Sequence, residues 1–136
     1  MASGITNFCA NLLFEKLLRG TAGSWPATFY VALSSTLPTD TGTNFTEPTG
    51  VGAYARQPLV TATTTWAALA AGSTSNAAVI NYPNATATIG TMTDWGLFDL
   101  LTGGNLHLWA DLTTPQTIAS GNPYSFAIGA LVIGAI

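Results

Sequence analysis

Charge is what this sequence has least of. Only 7% of its 136 residues are charged, three basic and six acidic, for a formal net charge of −3, whereas globular domains carry roughly a quarter. Lys16, Arg19 and Arg56 cannot neutralise the roughly six to ten phosphates of a typical nucleic-acid footprint, so DNA and RNA are excluded as direct partners. The same scarcity excludes a polybasic membrane contact and electrostatic steering. No apolar stretch reaches the ~20 residues of a membrane helix. The longest uncharged one, residues 126–136, is punctuated by Gly129 and Gly134 and suits a strand pair. At the N-terminus Lys16 and Arg19 follow the leucines rather than precede them, so no secretory signal is expected. The single cysteine, Cys9, excludes an internal disulfide, and the single histidine, His107, leaves metal clusters and His-based acid–base pairs one candidate.

What the chain does have is apolar residues, 48% of the total, with 14 glycines and 7 prolines among them. A chain of this length buries about two-thirds of its unfolded surface, which suggests a single domain over residues 1–136. Residues 7–19 carry the helix signals. Thr6 or Asn7 can cap the start, Phe8, Leu12, Leu13 and Leu17 recur at helical spacing, Arg19 suits the C-terminal dipole and Gly20 can end the helix. This short N-terminal α-helix is expected to precede everything else. From residue 28 onward, threonine-rich β-branched and aromatic runs lie between glycines and prolines, the pattern of short strands. They are expected near 28–34, 53–61, 76–81, 86–95, 95–101, 105–112, 116–119 and 123–133. The fold class is therefore all-β, an antiparallel sandwich or jelly-roll-like barrel with a β-rich body over about 28–136. A long loop, 35–52, holds Pro38, Gly42, Pro48 and Gly50; loops of this length are commonly functional or mobile, so it is expected to reach for a neighbour.

The clearest local signal is Gly103-Gly104 between two apolar runs, since a two-residue hairpin turn needs positive φ at both central positions. Such a turn pairs Thr102 with Asn105, Leu101 with Leu106, Asp99 with Leu108, Phe98 with Trp109 and Leu97 with Ala110. One face then holds Leu97, Leu101, Leu106, Leu108 and Ala110, and the other Phe98, Leu100, His107 and Trp109. Both faces are apolar, so the hairpin must lie centrally between layers or be covered by another subunit.

Catalytic chemistry finds no foothold. His107 sits between Leu106 and Leu108 in mid-strand, where a structural imidazole outweighs a base or ligand. No serine lies in a Gly-x-Ser-x-Gly elbow, and Cys9 faces apolar company where thiols are inert. Asp94 and Asp99, the nearest carboxylate pair, fall on opposite faces of a continuous strand. Asp40 to Asn44 with Glu47 offers oxygen ligands but lacks the spacing of a calcium loop. The sequons at Asn44 and Asn84 mean little without a secretory signal. Trp25, Trp66, Trp95 and Trp109 and the four tyrosines suit an interior or subunit interface better than a sugar platform. No catalytic, cofactor-binding or metal-binding residue is assigned, no cofactor is expected, and the chain reads as a non-enzyme.

Phe29-Tyr30-Val31-Ala32-Leu33-Ser34, then Thr46-Glu47-Pro48 and Gly52-Ala53-Tyr54-Ala55-Arg56-Gln57, form the first half of an ordered set of motifs. Asn76-Ala77-Ala78-Val79-Ile80-Asn81-Tyr82-Pro83, Trp95-Gly96-Leu97-Phe98-Asp99, Gly103-Gly104-Asn105-Leu106 and Ala119-Ser120-Gly121-Asn122 complete it. Over residues 28–133 the order resembles small virion proteins of tailed bacteriophages, of the tail-fibre-like or capsid decoration (cement) type. The resemblance departs at His107, where an apolar residue is common, and at the missing acidic tail beyond the last strand. It implies a structural protein of the virion, assembled in the host bacterial cytoplasm. The first reading is a capsid cement protein bound to the major capsid protein or another virion protein, and the alternative is a tail-fibre or receptor-binding module with sugar platforms around Trp66 or Tyr82. Similar decoration proteins imply a homo-oligomer, a trimer by analogy, without nucleic-acid or membrane partners. The helix, the 35–52 loop, the apolar C-terminus and above all the charge-free span 57–93 are the expected contact regions.

Overall fold

A computed structural model describes residues 2–134. It is an all-β fold with one helix, and its centre is an antiparallel sheet of five strands: β1 (Ser3–Ile5), β2 (Thr28–Ser34), β3 (Gln57–Val60), β6 (Gly90–Phe98) and β7 (Leu106–Ile118), in the order β1-β7-β6-β2-β3. Two ribbons complete the fold, β4 (Thr74–Ser75) with β9 (Val132–Ile133) and β5 (Ile80–Tyr82) with β8 (Tyr124–Phe126). The helix α1 (Asn7–Arg19) does not come first. β1 precedes it and pairs with β7, a strand too short and glycine-bearing to show a period in the sequence. The Thr6 side chain accepts from the Cys9 N–H at the start of α1, and Gly20 ends it at φ 63°.

The central sheet is apolar on both sides because both are covered by this chain. One face joins Val31 and Leu33 of β2, Trp95 and Leu97 of β6, and Ala110 and Leu112 of β7 to Ile80, Tyr82, Tyr124, Phe126, Leu131 and Ile133 from the ribbons and the loop between them. The Tyr82 hydroxyl donates to the Val31 carbonyl at 2.9 Å, which fixes one ribbon to the sheet. The opposite face gathers Ala32, Phe98, Leu106 and Trp109 under Ala2 and Phe45. Of the two positions open to the hairpin, the central one is occupied: β6 and β7 lie between β1 and β2.

The hairpin register differs from the two-residue turn. Leu97 pairs with Leu108, Gly96 with Trp109 and Trp95 with Ala110, a slip of two residues that keeps these side chains on their expected faces. The connection is correspondingly longer, 99–105, and its polar groups explain why. The Asp99 carboxylate accepts from the Asn105 N–H at 2.7 Å and from its amide at 3.0 Å, and Gly103 and Gly104 both take positive φ within this wider loop. A second departure follows at once: Phe98 pairs with Leu106, leaving His107 as an extra residue. This bulge exchanges two side chains between faces. Leu106 joins Phe98 and Trp109, while His107 turns to Phe8 and Phe29.

Other boundaries moved for similar reasons. The expected strands 86–95 and 95–101 are the single β6, and 105–112 and 116–119 are the single β7. The register shift between Met92 and Asp94 absorbs Pro115, whose missing N–H reads as a break in the sequence. The expected 53–61 strand is only Gln57–Val60, because Gly52 and Ala53 both have positive φ. The expected 76–81 strand is Ile80–Tyr82, and 123–133 splits at Gly129 into β8 and β9, which pair with β5 and β4 rather than with each other.

Candidate interaction surface

The chemistry-bearing side chains of this protein are engaged with one another. Glu47 and Arg56 form an almost fully buried two-pronged pair, Nε to Oε1 at 2.8 Å and Nη2 to Oε2 at 2.7 Å. Arg56 also donates to the Leu100 and Gly103 carbonyls at 2.8 and 2.7 Å and stacks 3.7 Å over the Phe98 ring. Tyr54 donates to Glu47 at 2.8 Å and accepts from the Leu33 N–H at 3.0 Å, and burial and then the Glu47 charge push its phenol far above the ordinary range. One arginine thus ties the long loop to the hairpin tip. A 260 Å³ hollow between them is lined by Tyr54, Arg56, Leu101 and Gly103 among others.

His107 is buried, with Nε2 3.3 Å from the Asp99 carboxylate and the edges of Phe8 and Phe29 against its ring. Burial alone would raise the Asp99 pKa, but the hydrogen bonds from Asn105 and then His107 outweigh it and hold the carboxyl below its usual value. Asp99 is therefore a turn residue beyond the end of β6, not a strand partner of Asp94. Asp94 instead faces Asp111 directly across β6 and β7. Burial pushes its pKa up to about 6, opposed by the Thr93 hydroxyl and reinforced by Asp111, and its Oδ1 is among the buried atoms without a partner. Asp111 in turn accepts from the Ala2 N–H at 2.7 Å and so holds the first strand. Burial raises the Cys9 thiol, which disfavours the reactive thiolate.

The loop with the calcium-like composition is held by hydrogen bonds of its own residues and its neighbours. The Asp40 carbonyl accepts from Asn7 N–H, Glu47 belongs to Arg56, and the hydroxyls of Thr39, Thr41 and Thr43 bond one another. Among the described residues no three of His, Cys, Asp and Glu come together. Leu37 and Val51 of this loop are exposed, while its middle is bound back to the protein. Phe45 packs edge-on against Phe98, and Thr46 bonds Ser34 and Ser35 of its own sheet. Tyr82 lies buried between Tyr54 and Tyr124, so it cannot be a sugar platform. Trp95 and Trp109 are also interior. Trp66 alone of the two named platforms is partly open, at a groove of about 540 Å³ walled by Ala62, Ala67, Ala68, Leu69 and threonines.

Several large apolar side chains are exposed among the threonines and glycines of the surface. Leu13, Phe14, Leu17 and Leu18 project from α1, Leu100 and Leu101 from the hairpin tip, and Val60, Leu69 and Val79 from the charge-free span. The C-terminal run contributes less than its composition suggests: Phe126, Leu131 and Ile133 fill the protein's own core and Ile128 is exposed, while the expected strand end at Ala135 and Ile136 lies outside the described residues. Sequence reasoning missed Asn76, wholly buried, which donates to the Ala78 and Ala127 carbonyls and accepts from the Leu131 N–H. No local pattern marks it.

Fold and surface together define a small all-β protein whose Glu47, Arg56, Asp94, Asp99 and Asp111 are tied into its interior contacts and which exposes apolar side chains on α1 and the hairpin tip. Over residues 4–134 the chain matches the family described as podophage GP4 fiber I protein gp80, and it belongs to that family. It is therefore a structural protein of the phage virion. No curated protein matches the sequence.

Proposed function

We propose that the protein is a non-enzymatic building block of a podophage fibre, assembled in the host cytoplasm and joined to further copies of itself and to another virion protein by apolar contacts. The observation that carries this reading is the division of side chains. Glu47, Arg56, Asp94, Asp99, Asp111 and His107 are spent on internal bonds or packing, while α1 exposes Leu13, Phe14, Leu17 and Leu18 beside its Glu15–Arg19 pair and the hairpin tip exposes Leu100 and Leu101. Such a surface associates by exclusion of water and desolvates few charges. The fibre reading takes precedence over capsid cement because the family is one of fibre proteins. A sugar-reading role has little support, since Tyr82 is buried and the Trp66 groove is walled by alanine, leucine and threonine.

Location in the particle tests the proposal. Gold labelling of an epitope-tagged copy, with particle imaging, should place the protein in few copies at the tail vertex. Hundreds of copies spread over the head would restore the cement reading and reject this one.

A further inference from the structure

The helix α1 carries two apolar faces, and the sheet uses only one. At 100° per residue, Leu13, Phe14, Leu17 and Leu18 fall within an arc of about 140°. Phe8, Cys9 and Leu12 lie on the opposite side, where Cys9 is buried and Phe8 meets His107 of β7. Leu17 is 69% and Leu18 74% exposed. A free helix of 13 residues is marginal in water, and this one anchors to the sheet mainly through its first turns.

We infer that this outward stripe is a self-association surface, whose occupant is the same stripe on a second copy of this chain. The inference rests on the fibre reading and names one of its partners. Three observations select the occupant. The stripe carries no charge: Glu15 and Arg19 pair within the helix at 2.6 Å, and Lys16 donates to the Gly23 carbonyl. Identical faces can therefore meet without like charges opposing each other, and only an uncharged apolar face complements them. Next, Leu13 with Leu17 and Phe14 with Leu18 form two ridges at i,i+4 spacing, which interdigitate with the same ridges on another helix. Finally, the area fits. The exposed parts of these four residues amount to roughly 400 Å² of hydrocarbon, close to the apolar share of the ~800 Å² that each partner contributes to a standard interface.

Sedimentation and light scattering of the full-length protein test this. The wild type is expected to associate, and Leu17→Glu/Leu18→Glu to weaken association at least about 100-fold, with an unchanged circular dichroism spectrum because both side chains stand in solvent. Leu69→Glu, at another exposed position, should leave association intact. As a second readout, Leu17→Cys should form a disulfide-linked dimer on mild oxidation, whereas buried Cys9 should leave the wild type uncrosslinked. A monomeric wild type at millimolar concentration overturns the inference. So does association that survives the double substitution, or is lost with Leu69→Glu instead. These outcomes are independent of where the protein sits in the particle, so a failed stripe and a failed fibre reading give different results.

Discussion

Arg56 grips Glu47 through both guanidinium prongs and, with its remaining nitrogen, holds the carbonyls of Leu100 and Gly103, so a single side chain closes the long loop onto the hairpin tip. The pair is nearly excluded from solvent. Its desolvation is costly, and its attraction compensates only while both partners are present. Glu47→Gln leaves an unneutralised guanidinium and should cost about 3–5 kcal/mol. In a chain of this size that lowers the melting temperature by roughly 10 °C or more. Replacing both partners, Glu47→Leu with Arg56→Met, should recover a substantial part of the loss, because no lone charge then remains. If each single substitution costs less than the double, the coupling described here is wrong.

Asp94 imposes a pH dependence of definite sign. The carboxyl of Asp94 titrates at about 6 in the folded chain, against roughly 3.9 when unfolded. The folded state thus holds a proton that the unfolded state has released. The stabilisation from Asp94 is full below about pH 4 and is lost as pH rises through about 6. Thermal unfolding followed between about pH 4 and 8 should show a falling melting temperature over that window, on top of a background from the other carboxylates. Asp94→Asn, which keeps a neutral side chain of the same shape, should flatten this component and melt higher than wild type at neutral pH. A slope unchanged by the substitution would rule out Asp94 as its origin.

Much of this was legible in the residues, and the limits have physical causes. The helix at 7–19 and the strand at 28–34 are visible because caps, dipole charges and β-branched runs act locally. The two-faced apolar hairpin is visible because its composition matches a strand pair covered on both sides. Its register was not, because the loop conformation is set by Asp99 across six residues and by Arg56 across 44 and 47. The scarcity of charge could not say which apolar residues face inward. In the charge-free span Leu59, Ile80, Tyr82 and Met92 are core while Val60, Leu69 and Val79 are exposed. Asn76 looks like any turn asparagine until the C-terminal segment folds around it.

Gly96 permits the layer that Phe45 makes on the sheet. A Cβ there would lie 2.6 Å from Leu106 Cδ1 and 2.8 Å from Phe45 Cε2. Gly96→Ala is expected to destabilise by about 1–3 kcal/mol through overpacking. The same substitution in a Phe45→Ala background should cost less, since one of the two closest obstructions is gone. Chemical denaturation of the four proteins in this cycle measures the coupling. Additive effects would mean that Phe45 does not rest on Gly96.

Asn76 anchors the segment between β8 and β9. Its amide donates at 2.8 Å to the Ala78 carbonyl and at 2.9 Å to that of Ala127, and its oxygen accepts from the Leu131 N–H at 2.9 Å. Two of those three partners lie more than fifty residues away in sequence, so this one side chain ties the middle of the chain to its end. Asn76→Ala strands three polar groups around a wholly buried site, and each unsatisfied group costs about 1–3 kcal/mol. Asn76→Asp keeps the acceptor for Leu131 but loses both donations and adds a buried carboxylate, so it should be at least as damaging near neutral pH and milder in acid, where the carboxyl is protonated and can donate once. Hydrogen exchange gives the local reading: in Asn76→Ala the Leu131 amide should lose its protection before the β6 and β7 amides do. Loss of protection that is uniform across the sheet would show that Asn76 supports the whole core rather than this one segment.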